Sequence, residues 1–210
     1  MGLQSGMELP QVTSATAAND LARRHGWPML YDASCQFHHP QLKELHALWR
    51  GMADRDGVPP RRGMTARLLQ PYMRMLALFE RVLSDAGPRR YRVRLMGSSL
   101  TRFLEDMTGH FLDEVLPEKY LPRWYVKNDV TLATGAPLRM LVRADTFDKS
   151  FMVGEYLCLP LLADDGERRL VLAAAHFDST HPWSAVMAEE CGQLGLPPLT
   201  SQEATALTID

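Results

Sequence analysis

The chain has 210 residues, 46% of them apolar and 23% charged, with a formal net charge of −2. That balance fits one globular domain of about 130–150 residues plus terminal extensions, with no global pull toward nucleic acid or an anionic membrane surface. No apolar run approaches the roughly 18 residues of a spanning helix, and the three cysteines, Cys35, Cys158 and Cys191, lie too far apart for metal or redox spacing, so a cytoplasmic setting is expected.

The N-terminal dozen residues lack both a charged segment leading into an apolar run and a myristoylation pattern. Thr13–His25 is Ala-rich and predicts a modest helix ending at Gly26. Trp27–Gln36 reads as a connector whose aromatic and apolar residues pack on something. A stronger helix starts at Pro40, which suits a first turn. Its residues Leu42, Leu45, Leu48, Trp49 and Met52 form a continuous apolar face. Gly57 stops it, and Val58–Gly63 is a turn rich in Pro and Arg.

Pro71 divides Thr65–Leu83 into a short helix to about Gln70 and a strand from about Arg74. Arg89–Met96 is the second strand of that hairpin. In it Tyr91, Val93 and Leu95 alternate with Arg92, Arg94 and Met96. Gly97-Ser98-Ser99 breaks the alternation, and a short helix is expected with Ser98 or Ser99 as its N-cap. A second breaker, Asp106–Gly109, precedes another apolar turn, Phe111-Leu112. Pro117–Thr134 predicts a helix with Pro122 near its start and Gly135 after its end. Three strands follow, Leu138–Phe147, Val153–Ala163 and Leu170–Phe177, with Asp165-Gly166 as a hairpin turn. The remaining tail shows a weak helical stretch at Ala185–Cys191.

Two strands, a helical crossover and a three-stranded meander predict an α+β fold: a five-stranded antiparallel sheet with short helices on one face and an N-terminal helical extension. Several motifs carry a resemblance. They are Leu48-Trp49-Arg50, Val58–Arg62, Tyr91–Ser98, Asp106–Glu114 in the pattern D-L-T-G-x-x-L-D-E, Gly135-Ala136-Pro137, and Glu155–Leu161 with Asp165-Gly166. In this order they resemble the PAS_5 subfamily of bacterial PAS domains over about Pro40–Phe177. The Gly-Arg usual before D-L-T-G is Leu104-Glu105 here, so no role of that Arg carries over. The resemblance implies domain limits of 1–37, 38–178 and 179–210. It also implies a stand-alone sensory or regulatory module that signals through a protein partner.

PAS domains bind ligands between the sheet and the helical wall. The pocket candidates here are Arg94, Leu100, Phe103, Met107, Thr108, Phe111, Trp124, Tyr125, Leu141 and Leu157, with Leu95, Leu159 and Val171 adding to the sheet side. The alternative is that these side chains fill a close-packed core and the chain is an interaction adaptor without a ligand. Haem is not supported, because Leu116–Gly135 offers no axial His, Cys or Met. A photosensory flavin would need an Asn-Cys-Arg-like helix, which is absent. His38-His39 beside Cys35 gives only part of a metal shell. No nucleophile elbow, P-loop or dinucleotide fingerprint is present, so no enzymatic activity is expected. Leu45, Trp49 and Met52 are the candidates for pairing two subunits.

Overall fold

In the computed structural model, residues 11–53, 57–84, 87–144 and 152–197 are described. The expected N-terminal helix, α1 (Ala15–Arg24), starts at Ser14, whose side chain accepts from the Ala17 amide at 3.2 Å. The presumed connector contains a strand, β1 (Met29–Asp32). Helix α2 (Pro40–Met52) begins at its proline as expected, and a single turn, α3 (Ala66–Leu69), precedes Pro71. The first hairpin is β2 (Leu76–Ser84) with β3 (Gly87–Met96). After Gly97 the chain makes hydrogen-bonded turns rather than the helix expected there, closing with Leu104 N–H donating to Leu100 C=O. A single-turn helix, α4 (Leu112–Val115), and the long α5 (Leu121–Thr134) complete the crossover. Strands β4 (Leu138–Arg143), β5 (Val153–Leu162) and β6 (Arg168–Asp178) form the meander, and α6 (Trp183–Gln193) is longer than the sequence indicated. The expected continuation of the first meander strand through Phe147 lies partly outside the described residues, as do most of the first twelve residues and the last thirteen.

The sheet is antiparallel throughout, in the order β1-β4-β5-β6-β2-β3. Five of these strands follow the hairpin, crossover and meander expected from the sequence. The sixth, β1, adds to the outer edge of β4, with Leu30 opposite Leu141. Its other edge is covered in turn: the Asn19 amide of α1 donates to Tyr31 C=O and accepts from Tyr31 N–H, each at 2.8 Å. That pairing removes the exposed edge a strand would otherwise offer.

Helices cover both faces of the sheet, not one as expected. On the inner face α1, α5 and the 100–116 segment pack against Met29, Tyr31, Phe79, Tyr91, Val93, Met140, Tyr156 and Cys158. On the outer face α2 and the turns after α3 cover Leu76, Leu157, Leu159, Leu161, Leu170 and Leu172, while α6 covers Leu30, Leu141 and Val153. This second layer explains why β5 is buried along nearly its whole length. It also shows no apolar alternation, the pattern of a strand covered on both sides.

Two local features fix the crossover. A Cβ on Gly97 would lie 2.2 Å from Met73 C=O, so only glycine lets β3 turn out beside that backbone. A bulge between Leu78 and Phe79 shifts the β2–β3 register, so Leu78 opposes Leu95 but Phe79 opposes Val93. Val93 therefore faces inward while Leu95 packs on the outer cluster.

The α2 face proposed for subunit pairing is used within the chain. Leu45 and Trp49 are buried in the outer core, Met52 packs at its margin, and Trp49 Nε1 donates to Pro160 C=O at 2.9 Å. Trp49→Ala should lower stability by about 3–5 kcal/mol, the cost of a large core truncation. A urea denaturation midpoint that stays unchanged would place the indole outside the core.

Candidate functional site

Helix α5 crosses the middle of the inner face, and residues Trp124–Leu132 are all buried. A helix buried all round must satisfy its polar groups internally. Asp129 does so completely: Arg89 donates to it from Nε at 3.0 Å and from a terminal nitrogen at 2.7 Å, and the Tyr91 hydroxyl donates at 2.7 Å. Thr131 donates to Lys127 C=O at 2.8 Å and Asn128 to Trp124 C=O at 3.0 Å.

Lys127 is different. It is 4% exposed, and its ammonium lies 4.2 Å from the centre of the Trp124 ring, 4.3 Å from Phe79 and 5.7 Å from Tyr156. Among the described residues no carboxylate pairs with it. Cation–π contacts are worth about 2 kcal/mol when desolvated, whereas removing an ammonium from water costs several, so the rings do not offset the burial. Burial accordingly pushes the Lys127 amine down to about 8. The nearby Cys158 thiol is pushed up by its own burial, so it supplies no anion at neutral pH.

Beside this ammonium is a cavity of about 40 Å³ between α5 and the sheet. Met29, Met140, Val142 and Tyr156 line its sheet side, and Phe103, Leu104 and Trp124 its helical side. Arg123 and Arg143 also line it, with Lys127, and among the described residues no acidic side chain does. A cavity needs about 10–15 Å³ by this measure to hold one water, and drug-sized pockets run to about 300 Å³ or more. The described residues therefore leave room for a molecule of only a few non-hydrogen atoms.

The outer face holds the opposite case, a buried cation with full pairing. Arg139 on β4 is 1% exposed. Its Nε donates to Glu155 at 2.7 Å, and its two terminal nitrogens donate to Glu190 at 2.7 and 2.9 Å and to Asp32 at 3.3 Å. The excess negative charge meets further donors. The His38 and His39 amides, at the start of α2, donate to Glu155 at 2.9 Å each, and the Ser34 amide donates to Asp32 at 2.7 Å. The His38 ring lies 2.6 Å from Glu190. One guanidinium thus ties β1, β5, the N-terminus of α2 and α6 to β4. Burial alone would raise the Glu190 carboxyl, but hydrogen bonds from Arg139 and His38 hold it below its ordinary range.

Next to this clasp is a wider cleft of about 470 Å³. His38, His39, His176 and His181 line it together with Glu155, Asp178, Glu189 and Glu190. The His39 and His176 rings stack with centroids 3.7 Å apart. Burial, then the neighbouring His176, lowers the His39 imidazole from its usual value. Among the described residues no group of three or more His, Cys, Asp or Glu side chains is placed to hold a metal ion.

The residues singled out by sequence separate into three sets. Phe103 and Trp124 line the inner cavity. Leu100, Met107, Tyr125 and Val171 are buried in the inner core, whereas Phe111 is half-buried beneath the Arg90 guanidinium. The rest lie elsewhere. Arg94 is exposed and paired with Glu80 at 2.9 Å, and Thr108 is exposed in a turn closed by Asp106. Leu141, Leu157 and Leu159 face the outer layer, because strand alternation sends them opposite to Met140, Tyr156 and Cys158. Sequence reasoning missed Lys127, Tyr156, Met140, Arg123 and Arg143. One signal was present: Lys127 lies three residues after Trp124, on the same helical face.

No family model matches the chain, and no curated protein matches it. Among solved structures, an RNA-binding light-oxygen-voltage receptor is similar at 14% identity and a TM-score of 0.38, over 68% of this chain and 39% of that one. The chain therefore spans about two fifths of that receptor's length. A light-oxygen-voltage domain studied with a flavin analogue is similar at 11% identity and a TM-score of 0.37, over 60% of this chain and 93% of that one. A Rhodobacter sphaeroides LOV protein is similar at 13% identity and a TM-score of 0.37, over 79% and 82%. Likeness at this level carries none of those proteins' chemistry to this chain. No described helix is long and apolar enough to cross a membrane.

Two pH responses follow from the two buried cations. The Glu190 carboxyl is held low in the fold, so the clasp contributes its full stability above the unfolded glutamate value of about 4.3 and loses it as pH falls through the lower folded value. Arg139→Met should cost about 3–5 kcal/mol at pH 7 by leaving buried carboxylates unpaired, and the loss should shrink on acidification. An equal loss at pH 7 and pH 3 in urea denaturation would contradict this. Lys127 behaves in the opposite sense. Its folded value of about 8 lies below its ordinary 10.5, so its burial penalty is complete below pH 8 and fades as pH rises toward the unfolded value. Lys127→Met should stabilise the chain by about 3 kcal/mol at pH 7, with the difference vanishing near pH 10.5. A destabilised Lys127→Met chain at pH 7 would show that the ammonium is paired.

Proposed function

We propose that the chain is a PAS-like sensory or regulatory module that binds a small molecule in its inner cavity and reports occupancy to a protein partner. The observation that carries this reading is the buried ammonium of Lys127, without a carboxylate partner among the described residues, at a cavity between the sheet and the helical wall. A domain serving only as an adaptor would do better with a filled apolar core and an exposed apolar patch. Among the described residues the large exposed hydrophobics are Leu68 and Leu83, on separate elements. The wall that closes the cavity is also suited to relay. Phe103 and Leu104 belong to the segment of turns after Gly97, and Phe103 packs on Phe177 at 4.6 Å, at the end of β6. A molecule that moves Phe103 moves a short, weakly structured surface segment.

A second reading, acid–base chemistry in the outer cleft, is favoured by one observation. The His38 ring lies 2.6 Å from Glu190, which Arg139 holds in place. Against it, no Ser, Thr or Cys among the described residues lines that cleft, and the His38 side chain is 61% exposed.

Thermal unfolding of the full chain against a panel of anionic, neutral and cationic molecules of three to six non-hydrogen atoms tests the sensory reading. At least one should raise the midpoint and slow hydrogen exchange in residues 97–116. A panel that does neither would remove the cavity as a sensory site.

A further inference from the structure

The cavity beside α5 has a polarity that limits what can enter it. Among the described residues its charged lining is Lys127, Arg123 and Arg143; the two arginines have interactions of their own, so the charge open to a ligand is that of Lys127. The rest of the wall is apolar or aromatic, led by Trp124, Phe103 and Met140. Lys127 is 4% exposed and has no described carboxylate partner, while Arg139 on the other face engages three carboxylates. A cationic end and an apolar wall complement a molecule with an anionic end and an apolar body. The volume of about 40 Å³ limits that molecule to about three or four non-hydrogen atoms, since one water needs about 10–15 Å³ by the same measure.

We propose that the inner cavity binds a small monocarboxylate of about acetate size, with its carboxylate on Lys127 Nζ and its alkyl group against the Trp124 and Phe103 rings. This rests on the reading of the cavity as the sensory site and names the ligand class for it. The carboxylate supplies the counter-charge that Lys127 lacks among the described residues. Its charge-assisted hydrogen bond forms in a water-poor site, where it is stronger than at a surface. A neutral amide of the same shape would leave the ammonium unpaired. A bulky carboxylate such as benzoate would not fit.

The test is thermal unfolding of the full chain in sodium acetate, against acetamide and sodium benzoate, with sodium chloride at matched ionic strength as the reference. Acetate at ten times its dissociation constant or more should raise the midpoint by about 3–6 °C over chloride at pH 7. Acetamide and benzoate should not. The acetate effect should be lost in Lys127→Met and, in the unaltered chain, should fade as pH rises from 7 to 9.5 and the amine gives up its proton. The pH series needs no variant, so it tests the Lys127 charge independently of the substitution. Equal shifts from acetate and acetamide, or an acetate shift unchanged at pH 9.5, would overturn the carboxylate assignment while leaving a ligand-binding cavity. No shift from any of the three, nor from the wider panel, would overturn the cavity reading itself.

Discussion

A sheet covered on both faces has to place its polar side chains inside the protein, and Arg139 is where this chain resolves that constraint. The guanidinium sits on the outer face one strand in from the β1 edge and holds carboxylates from β1, β5 and α6, while Glu155 also receives the first amides of α2. Helix α6 and the start of α2 therefore depend on one side chain for their polar anchorage to the sheet. Replacing such a cluster with apolar residues can be neutral, but removing one member is costly. The geometry gives the cluster a clear structural role: it sets where two helices lie on the outer face and so makes the sheet two-sided.

Lys127 is the counterpart on the inner face. Both cations are buried, yet one has three carboxylates and the other has aromatic rings. Arginine suits the first because its fork matches several carboxylates and stays charged. Lysine suits the second because its charge is adjustable. A buried charge left without a partner weakens the fold, and Asp129, two residues after Lys127, shows that this helix can supply pairing where it is needed. Among the described residues Lys127 alone of these two cations lacks a carboxylate, and it lies next to a cavity.

Much of the plan was legible in the sequence because its punctuation is strong. Gly97 marks a close backbone approach, Gly135 ends α5 in a left-handed turn, and Asp165-Gly166 turns β5 into β6. Strand β1 was not legible, because all four of its residues are buried and a run that short shows no period. Faces were the weakest part. With both sides of β4 and β5 buried, Leu141 and Leu157 look the same in sequence as Met140 and Tyr156, and only register separates them. Leu95 followed the alternation of Tyr91 and Val93 on paper, but the bulge beside Leu78 turned it outward. Lys127 escaped because a search for apolar periodicity sets charged residues aside, although it lies within a helix buried all round.

Lys127 carries its charge inside the fold with no carboxylate partner among the described residues. The chain has four lysines, so ¹³C labelling at the lysine ε-carbon would give a spectrum simple enough to titrate residue by residue, with Lys127→Met assigning the signal. The account predicts one signal titrating near 8 in the absence of a small anion, and shifting upward when sodium acetate is added. Four signals that all titrate near the ordinary lysine value of about 10.4 would contradict it.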